Sequence, residues 1–478
     1  MKNSWIFLFF LFGIVPGYSQ TSSQVIPSFV YASNRLLSTD SLQTSHQSKL
    51  SDKWEEFTLV EEHTKENKPR PISLPIAVEQ TKSESVLRIS EVVDTLSDLW
   101  VIQSTDAILS SQRPQDGQTK IVRFPFYGIE QLVTVPQQYG SFHPKEISEK
   151  EVEAFWEMLS KSDYHWILSD CEKYKAALGF NDWATLQWVQ ALSEAIFPKN
   201  INSERDIFTV FILNQMGLQV KLARSEDKLI TLFSSMQQIY SRKFVTIDTY
   251  PYYLAENNLS ASSVYTYRGS YVQNGRPLDL RLSKPLRLDT APSVHKINYK
   301  SSFWDSTFSY NVSQSLLDFY NDYPQLDANV YATAETSPEF KESLRLFMIQ
   351  EPLMDDVTFI NKILSFLHLD FKYMVDQEQF GYEKPFFLEE NFIYPYNDCE
   401  DRSIMLSVLL RDLLGLKSVL LDYDDHMCVA VNIHENIKGD HLLIGSAKYY
   451  VCDPTYIGAT IGMAIPEYKK KPAKVWVL

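Results

Sequence analysis

The chain has 478 residues, 44% hydrophobic and 22% charged, the composition of a globular protein with material for substantial cores. A formal charge of −15 with no basic stripe argues against nucleic acid and against anionic membrane surfaces as partners. Four cysteines, Cys171, Cys399, Cys428 and Cys452, are too few for a disulfide scaffold at this length.

Residues 1–20, MKNSWIFLFFLFGIVPGYSQ, place one lysine ahead of an apolar run of about eleven residues, Trp5 to Val15, with small residues at Gly17 and Ser19. That is the pattern of a secretory signal peptide, an uncleaved N-terminal anchor being the alternative. No later stretch approaches the roughly twenty apolar residues of a membrane span. The expectation is an exported protein, periplasmic or extracellular, with no membrane insertion after signal cleavage.

Residues 21–75, rich in Ser, Thr, Gln, Lys and Glu and closing on Pro69, Pro71 and Pro75, predict a loosely ordered lead-in. Residues 76–145 read as β-rich through SVLRISEVV, LWVIQST and KIVRFPFY. A helical stretch, EISEKEVEAFWEMLSKSDYHWILSDCEKYKAAL, follows with Ser148 as its N-cap, and NDWATLQWVQALSEAIF (181–197) repeats the pattern. Residues 256–336 return to β character in RPLDLRLSKPLRLD, HKINYKSSFWDSTFSYNV and DANVYATAE. From 337 to 478 the pattern is helices, a loop rich in aromatics and prolines, a further helix, and the strands KSVLLDY, MCVAVNI and KYYVCDP.

Two segments align without a gap. NSERDIFTVFILNQMGLQVKLARSEDKLITLF (202–233) matches EDRSIMLSVLLRDLLGLKSVLLDYDDHMCVAV (400–431) at an offset of 198, which superposes Gly217 on Gly415. Further on, KFVTIDTY resembles YYVCDPTY and pairs Asp248 with Asp453. Two helix–strand–strand units of one design are expected, a chance match of amphipathic patterns being the alternative.

The chemistry concentrates in the second unit. In YPYNDCEDRS, Asp398 is a good N-cap and Asp401 a capping-box partner, so Cys399 is the first helical residue. Amide N–H groups and the helix dipole there favour a thiolate, while Asp398, Glu400 and Asp401 oppose it, so a reactive Cys399 needs a cationic partner. In DDHMCVAVNIH, Met427, Val429, Val431 and Ile433 alternate as a core face. His426 opens that strand, where it can approach a helix N-terminus; His434 and His441 read as solvated loop residues. Asp453 ends the next strand, and antiparallel neighbours bring the end of one beside the start of the other. The spacings permit a triad in which a Cys399 thiolate attacks, His426 carries the proton and Asp453 fixes the tautomer. A zinc site drawn from Cys399, His426, Cys428 and Cys452 matches no structural zinc spacing. A Cys428–Cys452 disulfide is disfavoured by strand parity, leaving Cys452 and Cys171 as core residues.

NDCEDRS, DDHMCVAVN and VCDPTY together resemble the Cys, His and Asp motifs of the transglutaminase-like cysteine proteinase superfamily. EQFGYEKPFF, YPYNDCEDRS and CDPTYIGATIGM resemble exported bacterial transglutaminase-like proteins, over roughly 300–478. In many relatives a glycine begins the cysteine motif; Asn397 stands near that place here. The resemblance implies an α+β protein with a papain-like core at 337–478, Cys399 as nucleophile, His426 as base and Asp453 as orienting residue. At the offset of 198, Cys399 falls on Ile201 and His426 on Lys228, so residues 146–255 are expected to be a degenerate copy without the thiol and imidazole. The Cys399 backbone N–H is the natural oxyanion donor, with Gln379 as a side-chain candidate or a solvated loop residue.

The expected activity is thiol-dependent acyl transfer on a protein or peptide substrate, with hydrolysis favoured. Amine-crosslinking by the same thioester and a catalytically silent binding protein are the alternatives. No feature calls for a cofactor or a required metal.

Overall fold

The structure, a computed structural model, describes residues 54–63, 71–73, 84–94, 117–201, 203–256, 260–266, 275–288, 293–349 and 354–478. The signal-peptide expectation, LWVIQST and most of the lead-in lie outside these residues.

In the N-terminal part, strands β1 (Glu55–Thr58), β2 (Val60–Glu61), β3 (Ile72–Ser73) and β4 (Ile89–Asp94) precede a hairpin of β5 (Thr119–Phe126) and β6 (Ile129–Pro136). Tyr127 and Gly128 both take positive φ at the hairpin tip, the turn geometry that matches the twist of paired strands. Helices α1 (Glu149–Lys161), α2 (His165–Leu178), α3 (Asp182–Ile196) and α4 (Glu204–Gln215) follow. The sequence predicts α1 and α2 as one helix. The chain breaks at Ser162, which is extended, because Ser and Asp side chains offer the backbone competing bonds. Ser148 is extended at the N-cap position but makes no side-chain cap, whereas Asn181 caps α3 through the Ala184 amide.

Strands β7 (Val220–Ser225), β8 (Lys228–Ser234), β9 (Lys243–Ile247), β10 (Tyr250–Leu254) and β11 (Ser263–Thr266) form an antiparallel sheet in the order β1-β11-β7-β8-β10-β9-β2. Part of the expected lead-in is therefore edge strand. The hairpin β12 (Val294–Ser301)–β13 (Ser306–Ser313) follows, then α5 (Gln314–Asn321) and α6 (Ala328–Ala332). DANVYATAE, predicted as β, is α6: all five helical residues are buried and the helix packs on the helix that carries Cys399. Its conformation is decided by that packing, not by local β-propensity.

The C-terminal part adds α7 (Pro338–Met348), α8 (Asp356–Asp370), β14 (Lys372–Tyr373), α9 (Asp376–Gln379), β15 (Tyr396–Asn397), α10 (Cys399–Leu414), β16 (Ser418–Asp422), β17 (Met427–Val431), β18 (His441–Ile444), β19 (Ala447–Cys452), β20 (Tyr456–Ile457) and β21 (Ala473–Val477). Its main sheet has the order β18-β19-β17-β16-β21-β4. Strand β4 pairs in parallel with β21 and β3 with β20, so residues expected in a separate β-rich region complete the C-terminal sheet.

The protein is thus of mixed α+β class. Met427, Val429, Val431 and Ile433 face a core shared with α10, while Cys428 and Ala430 face a second core under Tyr468 and Ile465. The alternation matches the sequence reading. No helix among the described residues is long and apolar enough to cross a membrane.

The two helix–strand–strand units share a layout. α4 packs on β7 and β8 as α10 packs on β16 and β17, and Gly217 and Gly415 both end their helices in the left-handed region. The pairing of Asp248 with Asp453 is not kept. The strand beside β8 is β10, not β9, so Asp248 lies in the β9–β10 turn, at the far end of the sheet from Lys228. By register Asp453 lies opposite Cys428, and its counterpart opposite Ile230 is Glu256, one residue past the Ala255 amide that donates to Thr231 O at 2.9 Å. Helix α4 also begins at Glu204, so Ile201, opposite Cys399, lies before it and is exposed.

Candidate functional site

Helix α10 starts at Cys399 because Asp398 stops the extended chain before it. Asp398 Oδ1 accepts from the amides of Glu400 (2.8 Å) and Asp401 (3.2 Å), and Asp401 Oδ2 accepts from the Asp398 amide (3.2 Å). The other Asp401 oxygen accepts from the Phe386 amide at 2.9 Å, fastening the aromatic loop to the same turn. Ser403, one turn on, places its hydroxyl 2.7 Å from Cys399 O and 3.1 Å from Met427 O. One side chain therefore holds the start of α10 against the residue beside His426. Cys399 itself is fully buried, at 0% exposure.

Arg402 places a buried cation near the acidic turn. Its Nε donates to Asn397 Oδ1 (2.9 Å), Nη2 to Phe371 O (2.6 Å) and Nη1 to Pro454 O (3.4 Å). Burial lowers its proton affinity, to about 10, and Tyr373, Asp398, Cys399 and Asp401 act the other way, so it stays cationic near neutrality. The guanidinium thus joins the residues flanking Cys399 to the one following Asp453.

His426 closes the β16–β17 turn, its carbonyl accepting from the Tyr423 amide at 2.8 Å. Its Nε2 lies 2.9 Å from Asp453 Oδ2, and its ring stacks on Tyr468 at 4.7 Å between centroids. An ionised carboxylate only accepts, so Nε2 carries a hydrogen, and in the neutral ring Nδ1 presents its lone pair. That Nδ1 is buried and has no hydrogen-bond partner. Asp453 Oδ1 accepts from Thr455 N (3.0 Å), Thr455 Oγ1 (2.8 Å) and Tyr456 N (3.2 Å). Burial pushes the Asp453 carboxyl up, but the His426 imidazole and the Thr455 bonds outweigh it and hold the group below its ordinary value.

Behind the pair, His368 Nε2 donates to the Asp453 carbonyl (3.2 Å) and Nδ1 accepts from the Gly458 amide (3.3 Å). Burial lowers the proton affinity of His368, which keeps it neutral in this role. Arg402, His368, Thr455 and Tyr468 are contributions the sequence reading missed. Only Thr455 carried a local signal, since an Asp with a Thr two residues on is an Asx-turn pattern.

All four cysteines lie among the described residues and none forms a disulfide. Cys428 and Cys452 occupy opposite faces of the sheet, as strand parity predicts. Cys428, on the His426 side, has its sulfur within 4.8 Å of ligand atoms of both His426 and Asp453, a donor set that suits a thiophilic cation. Burial, with Asp453 and the neighbouring thiols Cys452 and Cys399, pushes the Cys428 thiol well up, so it remains protonated.

Gln379 ends α9 in the segment after β14, which runs parallel to β15 just before Cys399. Both polar atoms of its amide are buried without a hydrogen-bond partner, unlike a solvated loop glutamine. His434 is exposed, as expected. His441 is not a loop residue: it is buried in β18, with Nδ1 3.0 Å from Gly439 O, because pairing with β19 carries the polar turn into the sheet. Beside His426 a cavity of about 220 Å³ opens between β16, α6 and the start of α10. No protein-family model matches the chain, and comparison with curated proteins and with solved structures gives no match.

Proposed function

We propose that the chain is an exported thiol-dependent acyl-transfer enzyme of papain-like, transglutaminase-like design, with Cys399 as nucleophile, His426 as base and Asp453 as its orienting group. The observation that carries this reading is the buried His426–Asp453 pair, with an unspent Nδ1 beside the turn that begins with Cys399. His426 Nδ1 takes the thiol proton and the sulfur attacks a substrate amide carbonyl. The backbone N–H of Cys399 and the unspent amide of Gln379 are the donors for the developing oxyanion. The C–N bond breaks as the imidazolium returns its proton to the leaving amine, leaving a thioester. Water, deprotonated by His426, attacks the thioester, and carboxylic acid and thiol are restored. The α10 N-terminus and Arg402 support the anionic sulfur against Asp398, Glu400 and Asp401. Residues 146–255 are read as a scaffold copy of the same unit, its helix a turn shorter where Cys399 would stand.

One observation favours a second reading, a silent binding protein: Cys399, His426 and Asp453 are 0%, 3% and 1% exposed. Iodoacetamide labelling of Cys399, followed by mass spectrometry between pH 5 and 9 (bounds chosen about the free-thiol value of ~8.5), separates them. Fast labelling at the acid end that collapses in His426→Ala supports the enzyme. Labelling that rises only near the free-thiol value and ignores the mutation supports the binding protein.

A further inference from the structure

We propose that Cys428, His426 and Asp453 form a binding site for a thiophilic divalent cation of the zinc class. The site stands apart from the acyl-transfer reading; under that reading, its occupant takes the base and its orienting group out of the reaction.

The pleat and the strand register build the set. His426 and Cys428 are two residues apart at the start of β17, so their side chains share one face of the sheet. The register that pairs Val429 with Cys452 puts Asp453 directly opposite Cys428, and directly opposite side chains point the same way. One ligand atom from each of the three lies within 4.8 Å of the others. Tetrahedral zinc, with sulfur at about 2.3 Å and nitrogen or oxygen at about 2.0–2.2 Å, needs them roughly 3.5 Å apart. Side-chain shifts of about an ångström therefore close the set. Cys452 takes no part, because the pleat turns it to the opposite face.

The donors suit the ion. Thiolate, imidazole and carboxylate are the ligand types that zinc takes, and three of them leave a fourth position for water. A divalent cation with one thiolate and one carboxylate is neutral overall, which a buried site requires. Binding releases the Cys428 thiol proton to solvent, and the imidazole keeps its hydrogen on the nitrogen that does not bind. The surroundings hold the ligands still. Thr455 and Tyr456 fix the second Asp453 oxygen, and Tyr468 stacks on the His426 ring.

A buried cysteine is ordinarily core filling. Cys171 and Cys452 fit that role, their thiols directed at Met216 Sδ and the Tyr450 carbonyl, each at 3.8 Å. Cys428 instead has an imidazole and a carboxylate within ligand reach. All three ligands are buried, so the ion enters through local opening and binds slowly.

The test is equilibrium titration of the metal-free full chain with cobalt(II), whose thiolate complexes absorb strongly in the near ultraviolet, followed by displacement with zinc. The expected result is a single cobalt site with a thiolate band that zinc abolishes. Cys428→Ala and Cys428→Ser are each expected to lose the band and to bind zinc at least about 100-fold more weakly. Cys399→Ser is expected to keep the band. Two substitutions of different polarity guard against a misfolded variant. Absence of the band in the wild type, where cobalt meets only surface carboxylates, overturns the proposal whatever the variants do. A band that survives both Cys428 substitutions overturns it as well. Iodoacetamide labelling of Cys399 on the same metal-free samples keeps the two readings apart. An inert Cys399 beside an intact band removes the enzyme and leaves the metal site; a reactive Cys399 without the band removes only the metal site.

Discussion

His426 Nε2 and Asp453 Oδ2 lie 2.9 Å apart although 27 residues separate them. The antiparallel register that sets Val429 opposite Cys452 makes this contact, since it brings the residue before β17 beside the residue after β19. The carboxylate is fixed on its other oxygen by Thr455 and Tyr456, so the imidazole is held by a group that cannot swing away.

Asp453→Asn therefore removes the charge that fixes the His426 tautomer, and breaking such a buried pair costs about 3 kcal/mol. The folded Asp453 value is depressed relative to an unfolded carboxylate near about 3.9. Its stabilisation is then complete above about pH 4 and disappears as pH falls through the folded value. Urea unfolding of wild type and Asp453→Asn is expected to show a constant gap at neutral and mildly acid pH that closes only under strong acid.

Arg402 joins three separate segments of the chain through one side chain: Asn397 before the cysteine, Phe371 after α8, and Pro454 after the aspartate. Arg402→Met should cost about 3–5 kcal/mol by guanidinium denaturation, because it leaves the Asn397 oxygen and two carbonyls without their donor. Arg402→Lys should recover little of that, since one ammonium cannot span three diverging acceptors. Full recovery by lysine would mean that only the charge matters.

Asp398→Asn keeps an acceptor for the Glu400 and Asp401 amides, and its stability is expected to stay near wild type. Asp398→Ala removes the cap and should cost about 1–2 kcal/mol. Thermal unfolding of the two variants measures the difference. Equal losses would show that the carboxylate charge, rather than the cap, anchors the turn.

Glu389 is buried beside Tyr320, which donates to it at 3.3 Å, and burial raises its carboxyl to about 7. The folded state thus holds a proton that the unfolded state gives up near about 4.3, and its contribution is present at low pH and lost as pH rises through about 7. Glu389→Gln should be close to neutral at pH 5 and stabilise by on the order of 3 kcal/mol at pH 8. Urea midpoints at the two pH values check it.

The local half of the site was legible in the sequence. The Asp398–Asp401 capping box, the period-two alternation around Met427 and the ends of β17 and β19 depend on neighbours a few residues away, and the structure reproduces each of them. Strand parity likewise separated Cys428 from Cys452, because it follows from the pleat alone.

What only the tertiary structure decided are relations between distant segments. Residues 328–332 are helical because they are buried against α10, and β4 is a C-terminal strand because β21 had an open edge. Asp248 lost its place because sheet order, which no local pattern encodes, put β10 rather than β9 beside β8. Arg402 looks like an ordinary polar residue in sequence. Its burial and its bonds to the Phe371 and Pro454 carbonyls come from packing segments 31 and 52 residues away, and a side chain's electrostatic environment exists only once that packing is complete.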